Sequence, residues 1–487
     1  MKHCALRTIC ALLACLMLLG SAVSLAGCAG ETDTETKSSD TQTDSETVLE
    51  TSTEYVPDIA KKNYGKTFNV ACVGFNQDLL FLDEEDKRDG NSLDEAVYER
   101  AELVKEQLGV ECQFADAGTW TEYSSTIART VSTGDDAYQL VLTHVYQGIT
   151  DLITNNSLMD FSELPAFNID APYWNSNLMN ELKIEDKYLL GYGDFLLSST
   201  HCVVFNKDTL ENYRLESPYD LVNNKTWTVD KLFEMASTVS REDGDGNWTV
   251  DDYYGISGWG WVPLITLVTS CGMKIVDKDE SGYYYIAYED QTDKLLSLIE
   301  KVSTMYKADY SYMWPSTGGT SLSFANGHSL FQLYATTGLI NLASENDIRF
   351  GVLPYPKYDE AQEEYRSLNW NGLMGVPATV GTKGDPDMVG EVLELLGYYT
   401  SSVKTAYYEL QLGAKVSEAQ EDADMLDIIW DSLVSDIGLV CCNCSGSMDS
   451  LVYMLPKMCE NGSKNFSSYL RANKKSAQKA LDKVFNQ

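Results

Sequence analysis

Histidine, positive charge and long apolar runs are what this sequence has least of. It holds four histidines in 487 residues. Beyond the N-terminal stretch only His144, His201 and His328 remain, with no H-E-x-x-H and no pair at helical spacing on which to build a zinc site. No G-x-x-x-x-G-K loop is present to cradle nucleotide phosphates. Gly255-Ile256-Ser257-Gly258 lacks the spacing of a nucleophile elbow. Lysine and arginine total 36 against 73 aspartates and glutamates, a formal charge of −37. So acidic a chain suits neither nucleic acid nor an anionic membrane surface. The N-terminal apolar run, Ala11 to Leu19, is too short for a permanent membrane span. Carboxylates are so abundant that no pair stands out as a glycosidase acid and base.

That N-terminal run follows Lys2 and Arg7 and leads to Leu25-Ala26-Gly27-Cys28. A positive start, an apolar middle and small residues before a cleavage point describe a signal peptide over residues 1–27. Leu-Ala-Gly-Cys resembles a bacterial lipobox, which implies cleavage before Cys28 and a diacylglyceryl group on its sulfur. Lipid chains contribute roughly 0.8 kcal/mol per buried methylene and would hold the protein at a membrane. From Cys28 to residue 63 Thr, Ser, Asp and Glu dominate, a composition that reads as a solvated tether. Such a tether spans about 30 Å on average. Residues 64–487 are too many for one simple core and suggest two lobes.

Of twelve cysteines, Cys4, Cys10 and Cys15 leave with the signal and Cys28 carries lipid. Cys72, Cys112, Cys202 and Cys271 sit singly in apolar runs and read as buried small hydrophobes. Cys441-Cys442-Asn443-Cys444 with Cys459 admits three readings: free thiols, a local disulfide or a metal site without histidine.

The organising stretch is Val203 to Leu232. Val203-Val204-Phe205 is a short strand, and Asp208 is placed to cap a helix reaching Tyr213. A polar loop with Pro218 and Asn223-Asn224 follows, then a helix capped by Thr228. Strand, "F-N-K", short helix, "P-Y-D-L-V" and "W-T-V-D" together resemble the entry to the second lobe of extracellular solute-binding proteins of ABC importers. The likeness is to the carbohydrate-binding, maltose-binding-protein-like branch. Upstream, the spacing predicts a strand over Phe68–Phe75, a helix over Leu93–Leu108 with Gly109 past its end, and a strand over Val110–Ala115. A helix over Tyr123–Ser132 and a strand over Tyr138–Leu142 complete a parallel α/β layer. Ser132 to Val141 and Leu158-Met159-Asp160-Phe161 resemble the family's first-lobe pattern, departing from it at Tyr138-Gln139. Phe324 to Phe331, Phe350 to Pro356 and Gly372 to Pro377 resemble its later segments. The resemblance implies an α/β, two-lobed periplasmic-binding-protein-like fold of type II, with a hinge and a ligand cleft between lobes. Lobe one is expected over about 64–197 and 372–403, lobe two over about 203–368 and 404–487.

Candidate ligand residues are aromatic and amide side chains near strand ends. Trp120, Tyr146, Trp259, Trp261, Tyr334 and Trp370 fall at turns, beside Asn76, His144 and Asn369. Sugar rings pack their C–H faces on aromatic rings while amides and imidazoles take the hydroxyls, and loops of this kind line clefts. Asp243, Asp245 and Asp252 resemble a calcium loop, but Arg241 stands where a first carboxylate is needed. An acidic surface turn is the expected reading, with no metal and no cofactor. The expected function is a lipid-anchored monomer on the outer face of the cytoplasmic membrane, or in the periplasm of a Gram-negative source. It would carry an oligosaccharide to ABC permease subunits without acting as an enzyme. The alternatives are a peptide or polyamine carrier, a surface glycan-degrading enzyme, or an adhesin or sensor.

Overall fold

The computed structural model describes residues 55–74, 77–82, 90–197, 199–315, 324–345, 348–370, 372–414, 416–444 and 447–486. The signal peptide, Cys28, the tether as far as residue 54, and Asn76 lie outside them. Two mixed sheets organise the chain from Tyr55 onward. The first uses β1 (Lys66–Ala71), β2 (Val110–Ala115), β3 (Leu140–Thr143) and β4 (Leu158–Met159). The second uses β5 (His201–Asn206), β6 (Ser240–Arg241) and β7 (Tyr253–Trp259), with a separate hairpin of β8 (Val276–Lys278) and β9 (Tyr284–Ile286). It continues with β10 (Ser311–Trp314), β11 (Ser329–Ala335) and β12 (Phe350–Leu353). After the short β13 (Ser367–Leu368) the chain returns as β14 (Leu373–Pro377) to the first sheet, and β15 (Leu433–Val434) later pairs with β13.

The first sheet runs β2-β1-β3-β14-β4 and the second β10-β7-β11-β5-β12, with β6 beside β7. In the first, β1 is parallel to β2 and β3, whereas β14 is antiparallel to both its neighbours. All four residues of β3 and all six of β5 are buried, as strands covered on both faces require. The helix Ser92–Leu108 forms where the spacing predicts it: Asn91 accepts from Leu93 N and Asp94 N, and Gly109 closes it at φ 62°. Two local expectations are corrected. Asn206, not Asp208, caps the helix Lys207–Tyr213, because its side chain reaches Thr209 N at 2.8 Å. The expected loop around Pro218 is a helix, Pro218–Asn223, with Ser217 as cap and proline at the first turn, where its missing N–H costs nothing.

Segments crossing between the sheets lie side by side. Thr200 donates from Oγ1 to the Leu368 carbonyl at 2.7 Å, joining the outgoing strand to the returning one. The helix Ser401–Leu412 packs against both Ser92–Leu108 and Leu339–Glu345. At the C-terminus, Met454–Glu460 packs on the second-sheet helices Thr292–Tyr306 and Val262–Ser270. The long helix Phe466–Phe485 packs on β9 and also reaches Ile149–Thr154 beside β3. Among the described residues no helix is long and apolar enough to cross a membrane.

Candidate functional site

The buried strand β3 ends in His144-Val145-Tyr146, and Gln147 fixes this end in space. Its side chain accepts from His144 N at 2.9 Å and donates to the Val73 carbonyl past β1 at 2.9 Å. Tyr146 N donates to His144 Nδ1 at 3.1 Å, so the neutral imidazole carries its proton on Nε2. The two rings stack, with centroids 5.4 Å apart at 22°. Trp120, in the loop after β2, lies 5.3 Å from His144. It rests against the backbone at Gly74, where a Cβ would come within 2.8 Å of the indole and φ is +85°. Only glycine accommodates both conditions.

Trp370 joins this group from the returning segment between β13 and β14. Its ring meets Tyr146 at 5.6 Å and His144 at 6.1 Å, and on the other side His201 of β5 at 6.3 Å. His201 in turn meets Tyr355 at 6.4 Å. A string of rings therefore runs from the first sheet to the second with Trp370 at its centre. His201 is 6 % exposed, and burial lowers its pKa to about 4. It is neutral at ordinary pH, with Nδ1 3.2 Å from the Thr266 hydroxyl.

A cavity of about 620 Å³ opens beside Trp120 and Tyr146, in the range of small-ligand sites. Gln147 and Asp151 line its first-sheet side, Asn443 and Lys483 the C-terminal side. Asn443 donates from Nδ2 to the Tyr146 carbonyl at 2.6 Å across this boundary. The walls thus offer rings, an amide, a carboxylate and an ammonium group within one space, a set that suits a hydroxyl-rich ligand.

The four sequence candidates Trp120, His144, Tyr146 and Trp370 come together here. Among the described residues, the other candidates do not join the string. Asn369 is 1 % exposed, and its amide donates to the Gly372 carbonyl at 2.8 Å. It shapes the turn that carries Trp370 instead of presenting an open face. Tyr334 donates its hydroxyl to Gly338 O at 3.2 Å and packs over that glycine. Trp259 ends β7 in register with Trp314 of β10. Trp261 stacks on Tyr453 at 4.3 Å and 13°, so one indole face is already covered. Sequence reasoning missed His201, Tyr355, Asn443 and Tyr453. His201 carried a signal, a polar ring opening an apolar strand; the remaining three carried none.

In the acidic loop, among the described residues, Glu242, Asp243 and Asp252 bring carboxylate oxygens within 4.8 Å of one another, and Asp245 does not join them. Asp252 is fully buried and accepts from Asp243 N at 2.8 Å and Thr249 N at 2.5 Å. Arg241 lies over the Tyr253 ring at 4.0 Å. All eight cysteines among the described residues are free thiols.

No protein-family profile and no curated protein sequence matches the chain. Solved structures do. A sugar transporter from Rhizobium etli in an open conformation aligns at TM-score 0.54 and 17 % identity, over 85 % of this chain and 99 % of its own. The cyclic α-maltosyl-1,6-maltose binding protein of Arthrobacter globiformis aligns at 0.55 and 11 %, over 85 % and 98 %. UgpB of Mycobacterium tuberculosis, in complex with glycerophosphocholine, aligns at 0.51 and 14 %, over 83 % and 98 %. The fold is that of the type II, two-lobed solute-binding proteins of ABC importers. The string of rings stands where segments of the two sheets meet.

Proposed function

We propose that this protein captures a carbohydrate, an oligosaccharide of a few residues, between its lobes and delivers it to an ABC permease. The observation that carries the reading is Trp370, whose ring meets Tyr146 and His144 from the first sheet and His201 from the second. A sugar packed on this string contacts both lobes at once, so binding favours the closed arrangement by its differential affinity for that state. Asp151, Gln147 and Asn443 supply hydrogen bonds to hydroxyls along the cavity wall. The protein binds without turning over its ligand, as a monomer of lobes over about 64–197 with 372–403 and 203–368 with 404–487. A lipid on Cys28 holds it outside the cytoplasmic membrane. Native mass spectrometry of ligand retained through purification, followed by calorimetry on the released compound, tests the reading. A retained glycan bound without hydrolysis is expected. A peptide, polyamine or glycerophosphodiester in its place overturns the carbohydrate assignment. Cys28→Ser should abolish lipidation; an acylated, membrane-bound form of that variant removes the anchor.

A further inference from the structure

Cys441 to Cys444 form a turn on the C-terminal side of the cavity, with Cys444 among its lining residues. The turn is closed by Cys444 N donating to the Cys441 carbonyl at 2.8 Å. Such a turn brings its first and fourth Cα atoms within about 7 Å, and disulfides join Cα atoms roughly 4.4–6.8 Å apart. The neighbouring Cys441 side chain holds the Cys444 thiol below its ordinary pKa, whereas burial pushes Cys441 well up. Their exposures differ in the same sense: Cys441 is fully buried and Cys444 half-buried.

We propose that Cys444 and Cys441 are a reversible dithiol pair that reacts with small disulfides entering this cavity. Cys444 is the attacking thiol and Cys441 the resolving one. The Cys444 thiolate attacks one sulfur of a glutathione-type disulfide; a mixed S–S bond forms, and the small S–S bond breaks. The departing thiolate takes up the proton that Cys444 gave to solvent. Cys441 then loses its proton and attacks the Cys444 sulfur, expelling the second small thiol. The protein's two thiols are oxidised to one disulfide, and one small disulfide is reduced to two thiols. The same turn is tied to the string of rings. Asn443 holds the Tyr146 carbonyl at 2.6 Å, and the Cys442 thiol lies 3.7 Å from the Tyr146 hydroxyl. The redox state of the pair is therefore set next to Tyr146. This inference concerns the thiols alone and stands whatever ligand the cavity carries.

The test treats the native full chain with oxidised glutathione, then unfolds it, alkylates free thiols and maps them by peptide mass spectrometry. A disulfide between Cys441 and Cys444 is expected, with Cys72, Cys112, Cys202, Cys271, Cys442 and Cys459 still alkylated, and a dithiol reductant should reverse it. Cys442→Ser should close the same bond. Cys441→Ser should trap glutathione on Cys444, and Cys444→Ser should lose the reaction. Because Cys441→Ser removes a buried side chain, the wild-type map decides if that variant fails to fold. An unreacted Cys444, a mixed disulfide persisting on it in the wild type, or oxidation spread evenly over the buried thiols overturns the pair.

Discussion

Trp370 and Trp261 each stand two residues past the end of a strand and meet different surroundings. Trp370 lies on a segment that crosses between the sheets, and its neighbours come from both: Tyr146 and His144 after β3, His201 in β5. Trp261 begins the helix Val262–Ser270 and is covered by Tyr453, from a region that packs on the same lobe. A ring that touches segments of both sheets ties them together, whereas a ring covered from one side contributes chiefly to local packing. Position on the crossing segment, more than the tryptophan itself, gives Trp370 its place in the string of rings.

The largest expected effect acts beneath Trp370. His201 has its pKa lowered from 6.5 to about 4 by burial. The unfolded chain therefore binds more protons than the folded one between about pH 4 and 6.5, and stability rises with pH across that window. Acidification from pH 6.5 to 4 should withdraw on the order of 3 kcal/mol through this residue. His201→Gln, which cannot titrate, should show a flatter dependence of Tm on pH over the same range. Parallel wild-type and variant curves would show that the ring string is not held by a neutral His201.

Next in size is the ring itself. Trp370→Ala should weaken ligand binding by about 2 kcal/mol or more, roughly thirtyfold in Kd. Calorimetry checks the affinity, and a melting curve separates it from loss of fold. Wild-type affinity in a folded Trp370→Ala variant would remove the ring that distinguishes the two regions.

Much of this comparison was legible before any coordinates. The helix Ser92–Leu108 shows its apolar face, and Gly109 its end, in the spacing alone, and Val110–Ala115 matches the expected strand. Trp120, His144, Tyr146 and Trp370 were legible as a set because each follows or precedes a strand, and strand ends of one sheet converge. What was not legible depends on packing between segments distant in the chain. Nothing around Tyr453 marks it as the cover of Trp261, since that stack exists only because Met454–Glu460 packs on Val262–Ser270. Asn369 reads as a ligand amide in the sequence, yet it is buried and donates to the Gly372 carbonyl where the chain returns to the first sheet. Residues 218–223 read as a polar loop in the sequence, although Ser-Pro is also a helix start and the segment is the helix Pro218–Asn223.

The smallest expected effect on binding is at Trp261, and it tests the other half of the comparison. The stack on Tyr453 leaves one indole face covered by the lobe itself. Aromatic pairs of this kind contribute about 0.5–1.5 kcal/mol beyond their buried area. Trp261→Ala should therefore lower Tm while leaving affinity within about twofold of wild type, a change below roughly 0.5 kcal/mol. Tyr453→Leu should lower Tm in the same way, and the double variant should lose less than the sum of the two, because the shared stack is removed once. Additive losses would mean that the two rings do not act as a pair. A loss of affinity as large as that of Trp370→Ala, in a Trp261→Ala protein that still melts cooperatively, would place Trp261 in contact with ligand through its other face. The site would then extend from the crossing segment to the end of β7, and a ring covered by its own lobe would still bind ligand.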